Sequence, residues 1–173
     1  MTPPPDPVRI DPNVDPTQIR LSGVTRHGHL NFDVPLISQV GVNLYLGGCP
    51  ETLVLPDFVA NLVSLYDGAS YTVHHRLSSS LSVPLHDSVN EDLTQIDSIA
   101  RWVNSRCEFG PTLVQCQLGI NRSALVVARA LMLRGYSAVD AVSLIRAKRS
   151  HVCLCNPYFE EWLLSYDAQP HQL

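Results

Sequence analysis

Residues 112–132 read TLVQCQLGINRSALVVARALM, and the fold turns on how that stretch is divided. Leu113 and Val114 form a short apolar run that ends at Cys116. Five residues containing one glycine follow, and then Arg122 and Ser123 open a long apolar segment from Ala124 to Leu133. The division is strand, tight loop, helix. That helix is hydrophobic on nearly every face, which means burial rather than a surface stripe, and Gly135 supplies its C-terminal stop. Two residues at the junction break local rules. Arg122 places a cation in the first helical turn, where the helix dipole disfavours it unless an anion shares the site. Cys116 lies where the same dipole and the loop N–H groups stabilise a thiolate. The amides of Gln117, Leu118, Gly119, Ile120, Asn121 and Arg122 are spaced to converge as a nest, and a guanidinium adds a planar fork suited to two phosphate oxygens. A lone cysteine is ordinarily a small buried hydrophobe. Here the strand before it and the buried helix behind it supply the context that makes the motif meaningful.

With those residues in view, the segment CQLGINRS over 116–123 resembles the signature loop of cysteine-dependent protein phosphatases, and its flanks resemble the dual-specificity subgroup. The similarity runs over about residues 43–166. Its supporting pieces are Leu44-Tyr45-Leu46-Gly47, Val83-Pro84-Leu85-His86-Asp87, and residues 149–156. One departure stands out: the family carries His just before the nucleophile, whereas this chain has Gln115, an amide that holds geometry through hydrogen bonds but carries no charge.

The resemblance implies a reaction whose chemical needs the residues can be matched against. Phosphoryl transfer requires an in-line nucleophile, donors around the equatorial oxygens and a proton for the leaving group. Cys116 is the expected nucleophile, forming a cysteinyl-phosphate, and Arg122 is the expected bidentate clamp on the phosphoryl oxygens. Residues Gln117 to Arg122 form the expected phosphate-binding loop. Ser123 is placed to hydrogen-bond the sulfur, its bland alternative being an ordinary helix-start serine. Asp87 matches the family's general-acid position after the Val-Pro-Leu strand. Its rival Asp92 lies where a helix begins and reads as a cap. This chemistry calls for no metal or cofactor, because the loop and guanidinium carry the neutralisation that magnesium supplies in nucleotide hydrolases.

The expected substrate is a phosphoprotein bearing phosphotyrosine or phosphoserine/threonine. The loop interior adds no Lys or Arg, which disfavours a polyanionic lipid head group. An RNA 5′-phosphate is the more distant alternative. The competing class is a phosphatase-like module that captures phosphopeptides without turning them over, and Gln115 is the feature that keeps it open.

Composition bounds the remainder. The chain has 173 residues, 45% hydrophobic and 16% charged, which suits one globular domain able to bury about two-thirds of its unfolded surface. A net charge of −4 argues against nucleic-acid or anionic-membrane partners, which call for a basic face. Neither a long apolar run nor a basic-then-apolar leader is present. Five cysteines, an odd number without framework spacing, fit a reducing compartment. The expectation is a cytoplasmic monomer. A low-pKa thiol is also oxidisable, and Cys49 is the candidate partner for a reversible disulfide with Cys116.

Along the chain, residues 1–18 hold six prolines and read as a disordered arm, leaving 19–173 as the catalytic domain. Loose alternation over 19–42 with Gly23 and Gly28 predicts a hairpin or two short strands. Residues 43–47 predict a strand, 52–59 one helical turn, 61–66 a buried strand and 82–85 a further short strand. From Leu93, apolar residues at Ile96, Ile99, Ala100, Val103 and Cys107 recur at three or four, predicting an amphipathic helix. Ser137 to Asp140 form a capping-box variant that starts another helix. Asn156-Pro157 reads as an N-cap followed by proline at the first helical position, opening a last helix to about Tyr166. His74 and His75 point to opposite faces of a strand and lack a spaced third ligand. His151, Cys153 and Cys155 share a period of two, but no fourth ligand accompanies them, so burial is the reading. Strands alternating with helices give an α/β domain whose central, mostly parallel sheet is flanked by helices, with ligands expected at the strands' carboxyl ends. The resemblance implies the protein tyrosine phosphatase-like fold of dual-specificity type.

Overall fold

The computed structural model describes residue 15 and residues 18–169. In chain order its strands are β1 (Arg20–Val24), β2 (Asn31–Pro35), β3 (Ile37–Gly41), β4 (Leu44–Gly48), β5 (Thr52–Val54), β6 (Asn61–Ser64), β7 (Ser70–Thr72) and β8 (Ser79–Ser82). Helix α1 (Ile96–Cys107), strand β9 (Thr112–Cys116) and helices α2 (Arg122–Leu133), α3 (Ala138–Lys148) and α4 (Pro157–Leu164) complete it. The arm expected over 1–18 lies outside the described residues apart from positions 15 and 18.

The strand that ends at Cys116 is the middle of a five-stranded sheet of order β3-β4-β9-β6-β8. Only the β3–β4 pair is antiparallel; β9 runs parallel to both β4 and β6, and β6 runs parallel to β8. Every residue of β9 is buried, as the apolar run predicts for a strand covered on both faces. Period-two alternation sends its side chains into two cores. Val114 and Cys116 enter a cluster with Leu44, Leu46 and Val63 that also takes the buried faces of all four helices. Leu113 enters the opposite cluster, formed with Leu62, Phe32, Val34 and Leu53. Helices thus cover one face, and the β1–β2 hairpin with the β5–β7 ribbon covers the other.

Helix α2 is buried from Ser123 through Leu131, which is why its sequence is apolar all round. Its one interior cation, Arg129, is satisfied by Asp97 of α1 at 2.6 Å and lies 3.9 Å from the Tyr166 ring centroid. Gly135 stops the helix at φ +111°. Ser137 Oγ accepts from Asp140 N at 3.1 Å, and Asn156 Oδ1 accepts from Tyr158 N at 3.0 Å, so both predicted caps form.

Several local expectations shift. The helical turn expected over 52–59 is strand β5, paired in parallel with β7, because Leu53 and Leu55 are both buried against the second core and the ribbon satisfies their backbone. The strand expected at 82–85 lies earlier, at β8, where Ser79–Ser82 pair with β6. Its ladder still runs on: Val83 N and Leu85 N donate to Ser64 O and Leu65 O at 3.0 Å each, which carries the next residues to the carboxyl end of the sheet. Helix α1 begins at Ile96 rather than Leu93, because Asp92 Oδ1 accepts from Thr94 N at 3.0 Å and holds a separate turn ahead of it. The last helix closes at Leu164, two residues short of Tyr166.

Candidate functional site

Cys116 is the final residue of β9, and Gly48 is its partner in β4. The chain then turns back over the end of β4. A Cβ on Gly48 would lie 2.8 Å from the Leu118 carbonyl carbon, so the loop packs directly on the glycine. Gly119 has φ +70°, and a Cβ there would meet the Gly47 carbonyl at 2.5 Å to carbon and 2.6 Å to oxygen. Glycine is required on both counts. The Gly47-Gly48 pair and Gly119 therefore let two backbones touch, and the loop curls back under the sulfur.

The loop's donors converge on the sulfur. Gly119 N donates to Cys116 Sγ at 3.2 Å, Ser123 Oγ lies 3.1 Å from it, and the Ser123 amide also bonds it. Burial alone pushes the thiol pKa up, and that is the largest single influence. The Arg122 charge, the Ser123 hydroxyl and amide and the Gly119 amide together outweigh it and hold the thiol below its ordinary value. Residue 116 is 3% exposed yet lines the floor of a cleft of about 250 Å³. Its other walls include Arg122, Leu118, Asp87, Tyr66 and Arg26. Arg122 lies 5.2 Å from the Tyr66 ring centroid and donates from Nη1 to Leu85 O at 3.1 Å. Its Nε is buried with no partner among the described residues.

The other cysteines contrast with this one. Cys49 Sγ is directed to Glu51 O and Ser70 O at 3.8 Å each, in the core cluster on the opposite side of the sheet from Cys116. Burial pushes its pKa up to about 11, as it does for Cys153. His151 is exposed, Cys153 is packed among the helices and Cys155 lies against the other cluster, so the three share no common face. His75 Nε2 meets Val59 O at 2.7 Å.

Asp87 arrives in the cleft at the end of the extended segment after β8. Asn121 Nδ2 donates to its Oδ2 at 3.0 Å, and Asn156 Nδ2 donates to its Oδ1 at 2.9 Å. His27 Nε2 lies 3.1 Å from Oδ1. Asn121 Oδ1 in turn accepts from Asn156 N at 2.9 Å, so the loop, α4 and Asp87 form one network. The rival Asp92 is fully exposed and bonds Thr94, whose amide pulls its pKa down. Residues 87, 116 and 122 thus meet in one cleft, Ser123 is buried behind the sulfur that it contacts, and Asp92 stands outside.

Three further residues contribute in roles the sequence does not announce. His27 sits in a hairpin turn with no motif around it. Asn156 and Arg149 fall in the stretch 149–156 that carries the resemblance, but the first reads there only as a helix cap and the second, following Lys148, only as one more cation. Arg149 is 8% exposed and, among the described residues, bonds three carbonyls and a hydroxyl rather than a carboxylate. Nε donates to Gly119 O at 2.7 Å, Nη2 to Leu118 O at 3.0 Å, and Nη1 to Pro35 O at 2.7 Å and Ser38 Oγ at 3.0 Å. It pins two loop carbonyls on the side away from the sulfur, and the Gly119 amide faces the sulfur.

The family model described as dual specificity phosphatase, catalytic domain, matches residues 51–169. Among solved structures, human DUSP28 superposes with a TM-score of 0.64 at 23% identity, covering 78% of this chain and 94% of that one. The human tyrosine phosphatase-like serine/threonine/tyrosine-interacting protein gives 0.63 at 18% identity over 76% and 95%. OH1 from the Orf virus, described as a tyrosine phosphatase with triple substrate specificity, gives 0.53 at 19% over 75% and 85%. At these identities the likeness is one of fold. No curated protein sequence matches.

Proposed function

The chain belongs to the dual-specificity phosphatase family, and from its site we propose that it hydrolyses phosphate monoesters of tyrosine, serine or threonine in proteins through a cysteinyl-phosphate on Cys116. The observation that carries this reading is the sulfur itself: it takes three donors, from Gly119 and Ser123, under the charge of Arg122 and in the same cleft as Asp87.

In this reading Cys116 attacks phosphorus as the thiolate, in line with the leaving oxygen. A thiol left at its ordinary pKa near 8.5 is only a few per cent ionised at neutral pH, so the donors under the sulfur set the reactive fraction. Arg122 carries two of the equatorial oxygens and the charge that builds in the transition state, and the amides over 117–122 take the remaining contacts. Asp87 protonates the departing alkoxide or phenoxide and then accepts a proton from the water that cleaves the sulfur–phosphorus bond. Ser123 eases both thiolate formation and its later departure. The substrate is a phosphoprotein, since the loop interior brings no extra cation toward a polyanionic head group. Five free cysteines support a reducing, cytoplasmic setting, and no described helix is long and apolar enough to cross a membrane.

The test is steady turnover of an aryl phosphate and of phosphopeptides by the wild-type chain, abolished in Cys116→Ser and reduced about 10²- to 10⁴-fold in Asp87→Asn. Stoichiometric capture of a phosphopeptide by wild type with no release of phosphate would instead identify a binding module, the alternative that Gln115 keeps open.

A further inference from the structure

The β1–β2 hairpin lies outside the residues 51–169 that match the family, yet its turn reaches the cleft. That turn is tightly built. Thr25, 3% exposed, donates from Oγ1 to His27 O at 2.6 Å and accepts from Leu30 N at 2.9 Å, while Thr25 N donates to Leu30 O at 2.8 Å. Gly28 at φ +79° and His29 at φ +48° take the left-handed conformations that close it. The result is to aim His27 inward, with its side chain only 15% exposed.

Among the described residues His27 Nε2 has two polar partners, and both belong to Asp87: carboxylate Oδ1 at 3.1 Å and main-chain O at 3.2 Å. Both are acceptors, so the ring must carry its proton on Nε2 and act as a donor to each. Asn156 Nδ2 also donates to Oδ1, which fills both lone-pair directions of that oxygen. Among the described residues Oδ2 receives a single donor, Asn121 Nδ2. One lone pair of the carboxyl group is therefore left for an acidic proton, and it lies on Oδ2.

We infer that His27 is a positioning residue which fixes Asp87 through its Oδ1 and main-chain carbonyl, making Oδ2 the oxygen that exchanges the proton with the leaving group. The inference rests on the phosphatase reading above. The step balances without a further reactant: the sulfur–phosphorus bond forms, the bond from phosphorus to the ester oxygen breaks, and the Oδ2–H proton passes to that oxygen, leaving Asp87 as carboxylate. The hairpin is thereby part of the reaction site as well as a cover over the sheet.

The experiment compares wild type, His27→Ala and His27→Gln on aryl phosphates whose leaving phenols span a range of basicity. A poor leaving group needs the acid, and a good one does not. His27→Ala is expected to lose about tenfold or more in kcat/KM on phenyl phosphate while staying within about twofold on 2,4-dinitrophenyl phosphate, and His27→Gln, whose amide N–H can replace the ring donor, recovers most of the loss. A uniform loss across all the esters, or none, overturns the assignment, because a merely structural residue does not sort substrates by leaving group. A second readout needs no turnover. Wild type should show an imidazole Nε2–H proton resonance sheltered from solvent exchange and exposed in Asp87→Ala; a ring whose only proton is on Nδ1 overturns the clamp whatever the kinetics. A wild-type chain that cleaves none of the esters defeats the phosphatase reading itself, and the ring proton then decides the clamp alone.

Discussion

Arg149→Met removes a buried guanidinium while keeping most of its volume. Four acceptors lose their donor: the carbonyls of Gly119, Leu118 and Pro35 and the Ser38 hydroxyl. Hydrogen bonds from a charged donor are worth about 1.5–3 kcal/mol each, and a buried acceptor left unmade costs roughly 1–3 kcal/mol. Against that, the wild-type chain bears the cost of keeping a cation out of water, several kcal/mol per ion. That cost is visible as the downward pull of burial on the Arg149 pKa. The two partly cancel, and a net loss of about 3 kcal/mol is expected, readable as a drop in the urea midpoint at unchanged slope. The functional effect should be larger than the stability effect implies. The freed carbonyls of Leu118 and Gly119 can swing toward the sulfur, replacing a donor with an acceptor where an anion binds. Orthovanadate inhibition of aryl phosphate turnover therefore weakens by at least tenfold in protein that is still folded. Arg149→Lys, which keeps the charge but not the fork, should fall between. A methionine variant within about 0.5 kcal/mol of wild type and with unchanged orthovanadate affinity would refute the idea that this side chain shapes the loop.

Further outcomes follow from the same site. Ser123→Ala takes a donor from the sulfur at 3.1 Å, so the pH profile of iodoacetate labelling at Cys116 moves upward and kcat falls roughly ten- to a hundredfold. Gly119→Ala forces a left-handed residue into contact with the Gly47 backbone and should cost at least about 2 kcal/mol by urea unfolding, with orthovanadate binding lost. At neutral pH iodoacetate should label Cys116 ahead of Cys49 and Cys153, because only the first has its pKa lowered. The last two give a stability signature of opposite sign. Their folded pKa is raised from 9.0 to about 11, so the protonated thiol stabilises the fold below pH 9 and that contribution is lost as pH rises to about 11. It amounts to about 2–3 kcal/mol per thiol, and Cys49→Ala should flatten the fall in urea midpoint over that range.

The central unit was legible because its signals are local and strong. A continuous apolar run, a loop with glycine at its third position and an all-apolar helix can satisfy their backbones and bury their side chains in few other ways, and the caps at Ser137 and Asn156 formed as their side-chain chemistry predicts. Asp87, Cys116 and Arg122, which line the cleft, and Ser123 behind the sulfur stand out in the sequence because each suits a chemical role. What escaped was tertiary. Residues 52–59 look helical by composition, yet β5 pairs with β7 eighteen positions on, and pairing at that distance leaves no periodic trace in so short a segment. His27 and Asp87 are separated by 60 positions, and nothing near His27 announces a partner. Among the described residues Arg149 bonds carbonyls and a hydroxyl, so no complementary charge in the sequence points to its partners.

Gln115 shows how the family pattern is kept when one of its residues changes. The side chain is fully buried, and Nε2 donates to Gly48 O at 2.9 Å, tying the last turn of the central strand to the strand beside it. That carbonyl belongs to the glycine paired with Cys116 and packed beneath Leu118, so the amide steadies the floor on which the loop rests. The influences that hold the sulfur's pKa down come from elsewhere, from Arg122, Ser123 and Gly119, all C-terminal to Cys116 in sequence. Geometry and charge are thus carried by different residues in this site. A neutral amide at position 115 can serve the first because the second is already supplied by the guanidinium and the donors that face the sulfur.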